Sequence, residues 1–344
     1  MIDSHVHLRD FSQSEKETIL HGLRTAYLAG FNILLDMPNT NPPLTERETV
    51  MKRLEEGKKA VETIEKEFGT DDIHYSVYLG LTEDESQIRQ MTELYRELFP
   101  SICGLKLFAS QSTGNMGIVD KRSQERIYSL LSSLDYSGVL AVHSEKESLF
   151  NRNETLHSRL RCPEAETASV SDQIESAVKA GFRGNLHIAH ISTKGALELV
   201  SQARKDGEIR LTCGATPHHS LLTVENEGIF TKMNPPLRDK KDREAVLEGL
   251  FDGTVDWAES DHAPHTMEDK LKGASGIPGI EGMLRLIRFL RSEGMGEERL
   301  NALFSENAVK TFTFPFKATP VPRMITEDMI EKAAKEYPFS AWKN

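Results

Sequence analysis

The sequence predicts an α/β protein of the (β/α)8 TIM-barrel class, and three observations carry that prediction. Short apolar runs alternate with charged amphipathic segments, the runs number eight, and no Gly-rich turn follows the first of them. Alternating strands and helices imply parallel strands joined by crossovers, and eight is the number that closes a barrel. A doubly wound open sheet is the competing architecture. It usually has fewer strands and a Gly-rich phosphate turn after strand one, where this chain has His5-Val-His7-Leu-Arg9.

The expected strands are Met1–His7, Phe31–Met37, Ile73–Leu81, Ile102–Phe108, Val139–His143, Leu186–Ile191, Ile209–Cys213 and Val255–Glu259. Amphipathic stretches Glu15–Ala29, Glu46–Phe68, Glu83–Leu98 and Lys121–Leu134 read as the helices between the early strands. Glu164–Ala180, Lys194–Arg204, Asp239–Phe251 and Gly279–Arg291 continue the pattern. Ala29-Gly30 and Ala180-Gly181 end helices with the residue that tolerates a left-handed backbone. A chain of 344 residues suits one barrel domain spanning 1–344. Its tail 312–344, Pro-rich and then helical, is expected to pack on the outside.

The net charge of −11 argues against nucleic acid or an anionic membrane surface as partner. Cys103, Cys162 and Cys213 are odd in number and form no CxxC, which favours reduced thiols. No basic-apolar leader and no membrane-length apolar run is seen, so a cytoplasmic location is expected.

In a barrel, reactive groups come from the C-terminal strand ends. Those ends hold His5, His7 and Arg9, then Asp36-Met-Pro-Asn39, Lys106, His143, His190, and Asp261-His-Ala-Pro-His265. Period-two alternation places His5 and His7 on one face, with Lys106, His143 and Asp261 also inward. A lone His-x-His is more often a solvated strand end. Four inward histidines with a carboxylate, however, suffice for two divalent ions. Lys106 is the unusual member, because an ammonium repels cations. Buried lysine readily loses its proton, and the neutral amine can capture CO2 as a carbamate able to bridge two metals. The competing reading is an ion pair from Lys106 to Asp261 or Asp36. His187, of opposite parity to His190, is expected to face the helix layer, and neither His218 nor His219 is read as a ligand.

Six blocks carry a family resemblance: Asp3-Ser-His5-Val-His7-Leu-Arg9-Asp10, Met37-Pro-Asn39-Thr, Gly104-Leu-Lys106-Leu-Phe, His190-Ile-Ser-Thr-Lys, Asn234-Pro-Pro-Leu-Arg238 and Asp261-His-Ala-Pro-His265. In this order they resemble dihydroorotase, of the amidohydrolase superfamily. The resemblance implies a binuclear zinc barrel that interconverts L-dihydroorotate and N-carbamoyl-L-aspartate in pyrimidine biosynthesis. It implies that His5, His7 and Asp261 hold one zinc, that His143 and His190 hold the other, and that N6-carboxylated Lys106 bridges them. Asp261 would accept the proton of the attacking water and deliver it to the departing ring nitrogen. Arg9 would grip the substrate carboxylate, with Asn39 and His265 completing the pocket and Asn234, Ser275 and Gly276 contacting the ring.

The loop from Ala109 to Gly117, polar and Gly-bounded, reads as a lid whose Ser112 and Thr113 hydroxyls reach the substrate. Many members carry a small β-sandwich built from both chain ends. Here the chain opens on the first strand and the tail lacks strand alternation, so no sandwich is expected. Two alternatives remain: another cyclic amidohydrolase (dihydropyrimidinase, hydantoinase or allantoinase), or an inactive scaffold for aspartate transcarbamoylase. A homodimer and association with aspartate transcarbamoylase stay open as partners.

Overall fold

In the computed structural model eight parallel strands follow one another in chain order: β1 (Ile2–Val6), β2 (Ile33–Asp36), β3 (His74–Gly80), β4 (Ile102–Phe108), β5 (Val139–His143), β6 (Asn185–Ile188), β7 (Arg210–Ala215) and β8 (Trp257–Ala258). The ring closes where Val6 bridges His262 in parallel and the His7 N–H donates to the His262 carbonyl at 2.7 Å. The structure describes residues 1–111 and 116–342. Ser112 and Thr113, the expected lid hydroxyls, lie outside the described residues.

Each expected apolar run overlaps one strand, and the differences fall at strand ends. β6 stops at Ile188 because His190 takes a left-handed backbone, φ +41°, and leaves the ladder. β7 runs on to Ala215, pairing Gly214 with Trp257 and Ala215 with Ala258. β8 keeps only that short pairing, because the Asp256 carboxylate takes the Cys213 N–H at 2.7 Å in place of a ladder carbonyl.

Helices pack outside the strands, many fixed by caps the sequence supplies. Asp84, Asp120, Thr193 and Asp239 each accept a backbone N–H of the first turn. Gly181 closes the helix Pro163–Ala180 at φ +60°, a conformation in which a Cβ would be strained. One apolar layer fills the space between strands and helices. A second lies inside the barrel, where Ile2, Ile33, Leu35, Tyr78, Val139 and Trp257 meet Phe312 and Phe314 from the tail. That plug seals the N-terminal end, so polar groups are left to the C-terminal mouth. The tail helix Glu327–Lys335 packs on the helix Ile280–Ser292, and Tyr337 donates to the buried Glu17 carboxylate at 2.8 Å. Among the described residues no helix is long and apolar enough to cross a membrane.

Candidate active site

At the mouth, His5 Nε2 and His7 Nε2 stand 3.5 and 3.0 Å from Asp261 Oδ1. These three buried groups offer ligand atoms within 4.8 Å of one another. β1 brings the two imidazoles because residues two apart share a strand face. Asp261 reaches them from the segment after β8 through a left-handed turn, φ +47°. Asp3 steadies that turn by accepting the Ser260 N–H at 3.1 Å.

His143 Nδ1 and His190 Nε2 face each other at 3.1 Å. The outer His143 nitrogen, Nε2, donates to Glu145 at 2.9 Å, and Arg161 Nε holds that carboxylate at 3.0 Å. Likewise His7 Nδ1 donates to Asn39 Oδ1 at 2.6 Å. With the outer nitrogens of His7 and His143 committed to acceptors, their inner ones present lone pairs to the centre. Burial holds His5 down at about 4, and it also lowers His143 and His190, so these rings are neutral. Burial alone would raise Asp261, but the close approach of His7 and the neighbouring histidines outweighs it and keeps it ionised. Neutral imidazoles and an ionised carboxylate are the protonation states a bound cation requires.

Lys106 is fully buried, and its Nζ has no hydrogen-bond partner. Burial brings it down to about 8, and its charge bears on His5, His143 and His190. An orphaned amine among convergent lone pairs fits a centre that holds cations and leaves the nitrogen free to be modified. The alternative pairing with Asp36 does not form. Asp36 points to the helix layer, where it binds Arg53 and the Tyr75 hydroxyl, each at 2.6 Å.

Above the centre opens a cavity of about 400 Å³ lined by Arg9, Asn39, Asn234, His265, Ser275 and Gly276 together with the histidines and Asp261. Arg9 Nε donates to the Pro264 carbonyl at 3.2 Å, and its Nη2 lies 3.4 Å from His265 Nε2. That His265 nitrogen faces the Ser275 carbonyl at 3.0 Å and so carries its own hydrogen. It cannot accept from Arg9, so the hydrogens at that end of the guanidinium remain free for a ligand. Gly276, at φ +134°, brings its backbone so close to the Ala263 carbonyl that a Cβ would lie 2.7 Å from it. Lys270 fixes this stretch by donating to the carbonyls of Lys232, Ala274 and Gly276.

One expectation is overturned. His187 does not face the helix layer: its Nε2 lies 3.1 Å from Glu259 inside the barrel, and its ring stacks on Trp257 at 4.3 Å. The left-handed residue His190 resets the alternation, so 187 and 190 both point inward. His218 and His219 are buried beside the site but do not line the cavity. Sequence reasoning gave no role to Glu145, Arg161, Arg53 or Glu259, although alternation placed Glu259 on the inward face with Asp261. It also missed His157, whose Nε2 lies 2.8 Å from Asn234 Oδ1. A charge at a strand end two residues from a candidate ligand was the available signal for Glu145 and Glu259.

The barrel and the histidine–aspartate cluster at its mouth fit a metal-dependent amidohydrolase. No family model matches the chain. Dihydroorotase from Lactobacillus gasseri is 33% identical over 331 residues, covering 91% of this chain and 72% of the relative. Dihydroorotase from Archaeoglobus fulgidus is 32% identical, covering 91% and 71%. The chain belongs to the dihydroorotase family. Among solved structures, the L-hydantoinase from Arthrobacter aurescens shares the fold with a TM-score of 0.79 at 20% identity, covering 93% of this chain and 72% of that one. Dihydroorotase from Campylobacter jejuni shares it at TM-score 0.67 and 23% identity, covering 92% and 84%.

Proposed function

We propose that this chain is a dihydroorotase, closing N-carbamoyl-L-aspartate to L-dihydroorotate and opening it again. The observation that carries the substrate choice is a buried guanidinium with unspent hydrogens lining the same cavity as the histidine–aspartate centre. A carboxylated cyclic amide supplies a counter-charge for Arg9, and an uncharged hydantoin or dihydrouracil does not.

His5, His7 and Asp261 would hold one zinc and His143 and His190 a second, with Lys106 carboxylated between them. Zinc so held lowers the pKa of a water and polarises a carbonyl. In the hydrolytic direction Arg9 grips the substrate carboxylate in a two-pronged fork, and the Asn39 amide nitrogen, left free by His7, reaches the same end. Asn234 and the backbone at Ser275 and Gly276 hold the ring against rotation. Asp261 takes the proton of the attacking water as the carbon–oxygen bond forms. It returns that proton to the ring nitrogen as the carbon–nitrogen bond breaks.

The test is a panel of dihydroorotate, dihydrouracil, hydantoin and allantoin, run on purified protein with its zinc content measured. Turnover of dihydroorotate far above the others, at two zincs per chain, is the expected result. Preference for an uncharged ring would replace this substrate assignment, and protein that binds no metal under zinc-replete conditions would end it.

A further inference from the structure

Glu259, two residues before Asp261, is fully buried beneath the mouth, with Trp257 below it. An ionised carboxylate in a barrel interior is costly unless donors surround it. Here Oε2 accepts from His187 Nε2 at 3.1 Å, from Trp257 Nε1 at 3.2 Å and from the Ser4 hydroxyl at 3.2 Å. Oε1 accepts the backbone N–H of His190 at 2.5 Å and lies 3.6 Å from His5 Nδ1. Space for this carboxylate comes from Gly214, where a Cβ would lie 2.5 Å from Glu259 Cδ. One oxygen is thus anchored from three sides, while the other addresses one residue of each histidine cluster.

We propose that Glu259 is a positioning residue for both cation positions. It orients the His5 ring from behind and pins the left-handed backbone that turns His190 inward. The inference rests on the metal-centre reading. Glu145 stands behind His143 at hydrogen-bond distance, 2.9 Å, and Glu259 lies 3.6 Å behind His5, so each cluster has an imidazole backed by a buried carboxylate. Such supporting carboxylates fix ring orientation and tautomer, and losing one typically weakens metal binding about 10–100-fold. The isosteric Glu259→Gln cannot restore the arrangement. Trp257 Nε1 and the His190 N–H are donors only, so the amide NH2 must oppose one of them.

The experiment uses the full chain, wild type and Glu259→Gln, in chelator competition with zinc and in the visible spectrum of the cobalt-substituted protein. The expected result is about 10–100-fold weaker metal retention and an altered cobalt spectrum. A fall in kcat at nearly unchanged KM for dihydroorotate completes the expectation. Trp257→Phe, which removes one anchor and leaves the carboxylate, should move the same readouts by less, and it decides the matter should Glu259→Gln fail to fold. Wild-type metal affinity and spectrum in the variant that folds would overturn the proposal, as would a wild-type protein that binds no metal. A wild type that holds two metals yet ignores dihydroorotate would refute the substrate assignment while leaving this inference to the metal data.

Discussion

Replacing Arg9 with Met tests the substrate assignment most directly. Methionine keeps much of the volume of the buried side chain and removes the charge. In the structure Nε is spent on the Pro264 carbonyl, and His265 cannot accept because its Nε2–H is committed to Ser275. The terminal nitrogens are therefore available for two charge-assisted bonds to a carboxylate. At about 1.5–3 kcal/mol for each such bond, the lower end gives a loss of about 3 kcal/mol. That corresponds to about a hundredfold or more in kcat/KM. Because the carboxylate is remote from the bond that breaks, the ground state and the transition state lose it alike, and the change should appear mainly in KM. Steady-state kinetics with dihydroorotate and with dihydrouracil in parallel make the comparison. Dihydrouracil has no carboxylate, so its slow turnover should be nearly the same in both proteins. A loss below tenfold on dihydroorotate, or an equal loss on both rings, would refute the fork.

Three further outcomes follow from buried charges. Arg53→Met strands the Asp36 carboxylate and frees the Leu8 and Arg9 carbonyls that Arg53 binds, so stability should fall by about 3–5 kcal/mol in denaturant unfolding. The double variant with Asp36→Leu should recover part of that loss. Burial alone would raise Glu17, but His262, His21 and Tyr337 together outweigh it and hold it at about 2, below its ordinary 4.5. Its contribution is therefore complete above pH 4.5 and is lost as pH falls toward 2, and acid unfolding of Glu17→Gln should be flatter over that window. Lys106→Ala should lose most activity and one zinc-equivalent of affinity, with short carboxylic acids restoring part of the rate. Undiminished turnover would remove the bridging role.

How far the sequence could be read depends on where strand alternation holds. All eight strands overlap the apolar runs, because a strand buried on both faces needs an unbroken run of apolar residues. His5 and His7 were legible for a related reason, as both lie at the end of β1, two residues apart. Alternation fails at His190 and Asp261, whose left-handed backbones cost energy for a residue with a Cβ and are retained where surrounding contacts over-determine them. No period in the sequence reports such a turn, so His187 was sent to the wrong side. Glu259 and Asp3 were invisible as supports for the same reason. Their partners are backbone amides of those two irregular segments, His190 and Ser260, contributed from about 70 and 260 residues away in the chain. The motif residues could thus be identified one at a time, whereas the groups that aim them become apparent only once the barrel has brought β1, β6 and β8 side by side. The energetic consequence is specific. Each strained turn is held by a hydrogen bond to a buried carboxylate, so loss of Asp3 should release the turn at Asp261, and loss of Glu259 should release both the turn at His190 and the His5 ring.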